Sequence, residues 1–162
     1  MSTTVQRVVV GVDGSAGSLA ALRIGLAEAE RHGAVLRPVL ALVPPGGEIA
    51  ERRWPSPPEL QRIWTGDARV RLLKACGQVL PEGVDGVEVE PEVVRGAPGA
   101  VLVDCAPAST DLLVLGACGH GTLSRLRPHS VSRYCLRHAN CPVLVVHPDE
   151  AEEPADGGRA EQ

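Results

Sequence analysis

Three glycines, Gly116, Gly119 and Gly121, stand within six residues at the head of the stretch GACGHGTLSRLRPHSVS (116–132), which closes on Ser130, Val131 and Ser132. Glycines strip side chains from a loop and let its amides converge on phosphate oxygens. A serine-rich helix start adds free N–H groups, hydroxyls and the positive end of a helix dipole. Together they could hold a phosphate. Taken alone the pattern is common, because Ser is also an ordinary helix cap. A second candidate is GVDGS (11–15). Gly11 and Gly14 would let backbone approach a ligand, Asp13 could accept from a ribose or an adenine amino group, and Ser15 could cap a helix. The plainer reading is a strand-to-helix turn. No G-K-[ST] follows, which excludes a Walker A loop.

Other chemistries find less support. Cys118, His120 and His129 are legitimate zinc or copper ligands, but their spacing matches no standard motif and no fourth ligand is evident. His138 and Cys141 fall in HANCPV, where a structural role is expected. A redox role for Cys118 would require exposure and a lowered pKa. Arg125, Arg127 and Arg133 could steer an anion, although surface arginines are usually just solvated. No nucleophile elbow and no paired carboxylates accompany Asp13, so no catalytic set is read.

These loops need elements to position them. RVVVGVD is a continuous apolar run, as expected of a strand buried on both faces. The following segment places Leu19, Leu22, Leu26 and Ala29 on one helical face, with Gly33 as its stop. AVLRPVLALV reads as a second strand in which Pro38 suggests a bulge. Residues 44–58, PPGGEIAERRWPSPP, are expected to be irregular. A helix is predicted over about 59–80, with Leu60, Ile63, Val70 and Leu73 facing the core. GVEVEPEVVRG alternates like a third strand, APGAVLVDCAPA suggests a short helix, and DLLVLG a fourth buried strand. SVSRYCLRHA and CPVLVVH give a last helix and a fifth strand. This βαβαβαβαβ order predicts a doubly wound α/β domain with a parallel sheet. Ligands then belong beyond the carboxyl ends of the strands, where the two glycine loops stand.

Composition sets outer limits. The 162 residues suit a single domain, over 6–148, with 1–5 and the acidic 149–162 expected as disordered tails. The 44% hydrophobic content contains no Phe, so the core must be aliphatic. A net charge of −4 and only three aromatics, Trp54, Trp64 and Tyr134, argue against a nucleic-acid partner. No apolar run approaches the roughly 20 residues that span a bilayer. Cys76, Cys105, Cys118, Cys135 and Cys141 form an odd set without C-x-x-C, which suits reduced thiols and a cytoplasmic location.

The ordered pieces RVVVGVDGSAGSLAALRIGLAEAERHGA, VEVEPEVVRGAPGAVLV, DLLVLGACGHG and SVSRYCLRHANCPVLVVHPDE resemble the universal stress protein family over about residues 6–148. The resemblance implies a five-stranded sheet in the order 3-2-1-4-5, frequent dimerisation through the last strand (Pro142 to His147), and ATP binding in one large branch. That branch is marked by Gly, two residues, Gly, nine residues, then Gly followed by Ser or Thr. Gly116, Gly119 and Ser130 match, but His129 stands where the third glycine belongs. By this analogy Asp13 meets the ribose or adenine, and Gly11 and Leu42 line the base. Gly116, Gly119, His120, Gly121 and Thr122, with Ser130, Val131 and Ser132, surround the phosphates. If the replaced glycine has positive φ, histidine costs about 1 kcal/mol or more there. AMP or cyclic AMP needs less of the phosphate loop than ATP, which Mg2+ could accompany. The expected function is an adenine-nucleotide-binding regulatory module rather than an enzyme. The alternative is a dimeric interaction protein that has lost nucleotide binding.

Overall fold

In the computed structural model, residues 4–82, 84–117 and 130–148 are described. The elements run β1 (Arg7–Gly11), α1 (Ala16–His32), β2 (Val35–Leu42), α2 (Gly47–Arg53), α3 (Pro58–Val79), β3 (Glu92–Arg95), α4 (Pro98–Cys105), β4 (Asp111–Gly116), α5 (Val131–His138) and β5 (Val143–Val146). The five strands form one parallel sheet in the order β3-β2-β1-β4-β5. The expected α/β architecture and strand order are therefore observed.

Side chains alternate across a strand, so each strand feeds two cores. Val8 and Val10 of β1, Leu36 and Leu40 of β2, and Leu112 and Val114 of β4 face α1 and α3. Val9, Val39, Leu113 and Leu115 face the opposite way, against Leu102 and Cys105 of α4 and Cys135 of α5. Val8, Val9 and Val10 are fully buried, which explains the unbroken apolar run in β1. Val5 packs against the first of these cores. The acidic stretch from Asp149 lies outside the described residues.

Three sequence expectations need correction. Pro38 does not bulge β2, which runs unbroken from Val35 to Leu42. The Leu36 amide donates to Glu88 toward the β3 side, so two residues on the missing Pro38 donor faces that side too. There the neighbouring chain is itself interrupted, between the Leu36–Val89 bridge and the pairing that begins at Val39–Glu92. Pro91 marks this gap, which also shortens the expected third strand to four residues.

The Pro-rich segment 44–58 is not wholly irregular, because α2 occupies its centre. Its prolines lie outside the helix, and the acidic Glu48 and basic Arg52 and Arg53 suit its ends. Glu51, 5% exposed, ties α2 to the turn at Ser56 and to the first turns of α3. It accepts from the Ser56 amide (2.9 Å), the Ser56 hydroxyl (2.8 Å) and Gln61 Nε2 (3.3 Å). Hydrogen bonds from the Ser56 amide and then its hydroxyl hold the Glu51 carboxyl below its ordinary pKa, against some burial and with help from Arg95.

The third correction concerns α3. Leu60, Ile63, Val70 and Leu73 do not face the core; all are exposed, Val70 at 66%. The buried residues are Ala68, Leu72, Ala75 and Cys76. Small side chains let this helix lie close to the sheet, and the larger aliphatics are left on its outer side.

Candidate functional site

The strand order reverses between β1 and β4, where chains leave toward β2 on one side and β5 on the other. A cavity of about 230 Å³ opens there, at the carboxyl ends of the strands. Gly11, Asp13, Ser15 and Gly116 line it, with Val131 and Ser132 from the first turn of α5. The two separate stretches picked out in the sequence thus meet at one opening.

The Asp13 side is a self-supporting turn. The Ser15 amide donates to Asp13 Oδ1 at 2.8 Å, and Ser15 Oγ accepts from the Ser18 amide at 3.2 Å as the cap of α1. Ser18 Oγ accepts from the Asp13 amide (3.3 Å) and donates to the Ser15 carbonyl (3.0 Å). Gly14 has φ +87°, a left-handed conformation that glycine adopts without strain, so it shapes the turn. Partial burial pushes the Asp13 carboxyl up, but the polar groups around it, the Ser15 hydroxyl and amide, the Ser18 hydroxyl and its own amide, together outweigh this. The net result is a pKa below the ordinary value, so Asp13 is a carboxylate acceptor at neutral pH.

On the other side, Ser130 Oγ accepts from the Arg133 amide at 3.2 Å and lies 3.3 Å from Ser132 Oγ. Ser130 caps α5, while Val131 and Ser132 line the cavity. Amides of a first helical turn receive no intrahelical carbonyl and point outward along the axis. Gly116 has a packing reason as well: a Cβ there would overlap the Gly17 backbone and stand 2.8 Å from the Ser18 amide nitrogen. It brings the end of β4 against the start of α1, and so joins the two sides of the cavity.

Leu42 is corrected. It packs in the α1/α3 core and borders a separate, smaller cavity with Trp64 and Arg95. The main cavity lies on the α4/α5 side of the sheet, toward which Val39 and Ala41 point. Alternation along β2 moves the expected contact from Leu42 to Ala41. Val12, Ser18, Pro98, Leu102 and Leu115 complete the walls, and the sequence reading missed them. For Val39 and Ala41 the period-2 rule was a usable signal; for Pro98 and Leu102 only the packing of α4 could reveal the contact.

Cys118, Gly119, His120, Gly121, Thr122 and His129, together with Arg125 and Arg127, lie outside the described residues. Among the described residues no group of His, Cys, Asp and Glu could hold a metal. His138 Nδ1 lies 2.9 Å from the Tyr134 carbonyl, and its ring stacks on Tyr134 at 4.1 Å. Burial raises the thiol pKa of Cys76, Cys105 and Cys141, and that of Cys135 to about 11. All four are free. No described helix is long and apolar enough to cross a membrane.

A parallel sheet doubly wound by helices, with a cavity at the switch between β1 and β4, defines an open α/β protein of the Rossmann-like kind. Residues 4–147 match the model of the universal stress protein family. The chain belongs to that family. It is 32% identical over 152 residues to universal stress protein Rv2005c of Mycobacterium tuberculosis, an alignment covering 91% of this chain and 50% of that protein. The chain spans about half the length of the first curated relatives it matches. A solved universal stress protein in complex with cAMP is 30% identical, with a TM-score of 0.55 over 90% of this chain and 99% of that one. The structure of MJ0577 shares the fold with a TM-score of 0.69 at 20% identity, covering 91% and 99% of the two chains.

Proposed function

We propose that the chain is an adenine-nucleotide-binding regulatory module. The observation that carries this reading is the pairing, across one cavity, of the Asp13 carboxylate with the first turn of α5. A carboxylate suits ribose hydroxyls or an adenine amino group, the apolar walls at Val39, Ala41 and Leu102 suit a base, and a helix N-terminus suits phosphate. The cAMP complex of a relative at 30% identity supports the same ligand class. Binding steadies the two loops and so changes the surface offered to a partner. The module is not an enzyme in this reading; any slow ATP hydrolysis with Mg2+ would be incidental. Self-association through β5, an edge strand with Leu144 partly exposed, belongs to the same proposal. The free thiols suit a reducing, cytoplasmic setting.

Isothermal titration with ATP, AMP and cyclic AMP tests the reading. Binding is expected for at least one of them and lost in Asp13→Ala; heat from none at high micromolar ligand overturns it. His129, in place of the motif glycine, favours a second reading in which the site has decayed and the chain works as an interaction protein. Under that reading His129→Gly creates or strongly improves ATP affinity. If it weakens an affinity already present, the second reading fails.

A further inference from the structure

At 3.6 residues per turn, α3 is apolar on two opposite sides. Ala68, Leu72 and Ala75 face the sheet. Opposite them run Ile63, Gly66, Val70, Leu73 and Gly77, all exposed, with Ile63 at 57%, Val70 at 66% and Leu73 at 47%. A Cβ built on Gly66 or Gly77 would meet nothing within 4 Å. The outer side of a surface helix is normally polar. This one carries three bulky residues and two open notches.

We propose that this face of α3 is a twofold contact between two copies of the chain, antiparallel and centred on Val70. In that register Val70 meets the partner's Val70, and Ile63 stands over the notch at the partner's Gly77. Leu73 falls beside the notch at the partner's Gly66, and symmetry repeats each contact. On either side of the central Val70 pair, large residues stand at or beside small ones, which favours close helix packing. A parallel register would set glycine against glycine and leave gaps.

The charges at one edge fit the same register. Asp67 and Lys74 are exposed on the same edge, two turns apart and about 10 Å along the axis, too far to pair within one helix. Across the antiparallel seam Asp67 lies opposite the partner's Lys74, and Lys74 opposite the partner's Asp67. Arg62 and Arg69 occupy the other edge, where their flexible stems let the charged ends turn to water. A single pair of 22-residue helices buries less than a standard stable interface, so the association is weak and concentration-dependent. It is also separate from β5, because α3 packs beside β2 and β3 at the other end of the sheet.

Sedimentation of the full chain over a wide concentration range tests the seam. The wild-type mass is expected to rise with concentration. Val70→Glu sets like charges on the twofold axis and should weaken the association by about tenfold or more, leaving any β5-mediated unit intact. Asp67→Lys should weaken it several-fold, and adding Lys74→Asp should restore it to near the wild-type value. All the substituted side chains are exposed, and dilute thermal melts verify that the variants are folded. If the wild type never exceeds the mass of Val70→Glu, the face belongs to another protein or another segment, and the proposal is overturned. If the double charge exchange fails to restore association, the antiparallel register is overturned.

Discussion

The crossovers that leave β1 and β2 put their main helices on the same side of one sheet, yet they are built differently. The first, through α1, follows local rules: a Ser15 cap, buried Leu22 and Ala29, partly buried Leu19 and Leu26, and Gly33 at the end. The second, through α2 and α3, turns inward its small residues and Leu72, leaving other large aliphatics outside. Hydrophobicity alone therefore identifies a helix but not which side of it is buried. Residue size and the distance to the sheet decide that.

The largest effects should come from the leucines that truly face the sheet. Leu22 and Leu72 are at most 1% exposed, one in each crossover. Leu22→Ala and Leu72→Ala should each cost about 2–5 kcal/mol by chemical denaturation. Leu73→Ala, one residue along α3, should change stability by no more than about 0.5 kcal/mol in dilute solution. Equal losses at Leu72 and Leu73 would mean that the burial of α3 is misassigned.

Glycines sharpen the contrast, because the same substitution should act with opposite sign in the two helices. A Cβ at Gly25 of α1 would overlap Val10 and approach Leu36 Cδ1 at 3.5 Å. Val10 is fully buried and stiff at χ1, so Gly25→Ala should destabilise by about 1–3 kcal/mol. Gly66 of α3 is open, and Gly66→Ala should stabilise the dilute protein by about 0.5–1 kcal/mol through the lower backbone entropy of alanine. The same change fills a notch of the proposed seam, so at high concentration it should also weaken association.

These differences explain what could be read in advance. The α/β plan was legible because each buried strand is a dense apolar run and each crossover is long enough for a helix, whereas the strand order came only from the family resemblance. Asp13, Ser15, Gly116, Val131 and Ser132, which line the cavity, could be singled out because they sit at strand ends and at a helix start, features set by neighbours in sequence. Leu42 was misread because the cavity's side of the sheet depends on where α4 and α5 pack, and one residue of β2 reverses the direction. Pro38 misled because its missing donor falls where the neighbouring chain is already interrupted, between the Leu36–Val89 bridge and the Val39–Glu92 pairing.

A smaller loss should follow from the cap of α1. Ser15→Ala removes the acceptor of the Ser18 amide and should cost about 1 kcal/mol in thermal or chemical denaturation. α3 offers no equivalent change, because Pro57 at its start makes no side-chain cap bond. The second crossover is anchored instead by Glu51.

That anchor should make the second crossover acid-sensitive in a way the middle of α1 is not. Glu51 titrates in the folded chain below its ordinary value of 4.5, chiefly because the Ser56 amide and hydroxyl donate to the carboxylate. With the folded pKa lowered, the unfolded chain takes up the proton first as pH falls. The stabilisation is fully present above the ordinary value and is lost as pH drops through the folded one. Between about pH 5 and pH 3, amide exchange across 47–56 should therefore accelerate more than exchange across the middle of α1. Glu51→Gln cannot titrate, so the variant should show a flatter acid response in that segment, from a lower starting protection. An identical acid response in the two proteins would show that Glu51 is not what holds α2 to α3, and the contrast between the crossovers would then need another anchor.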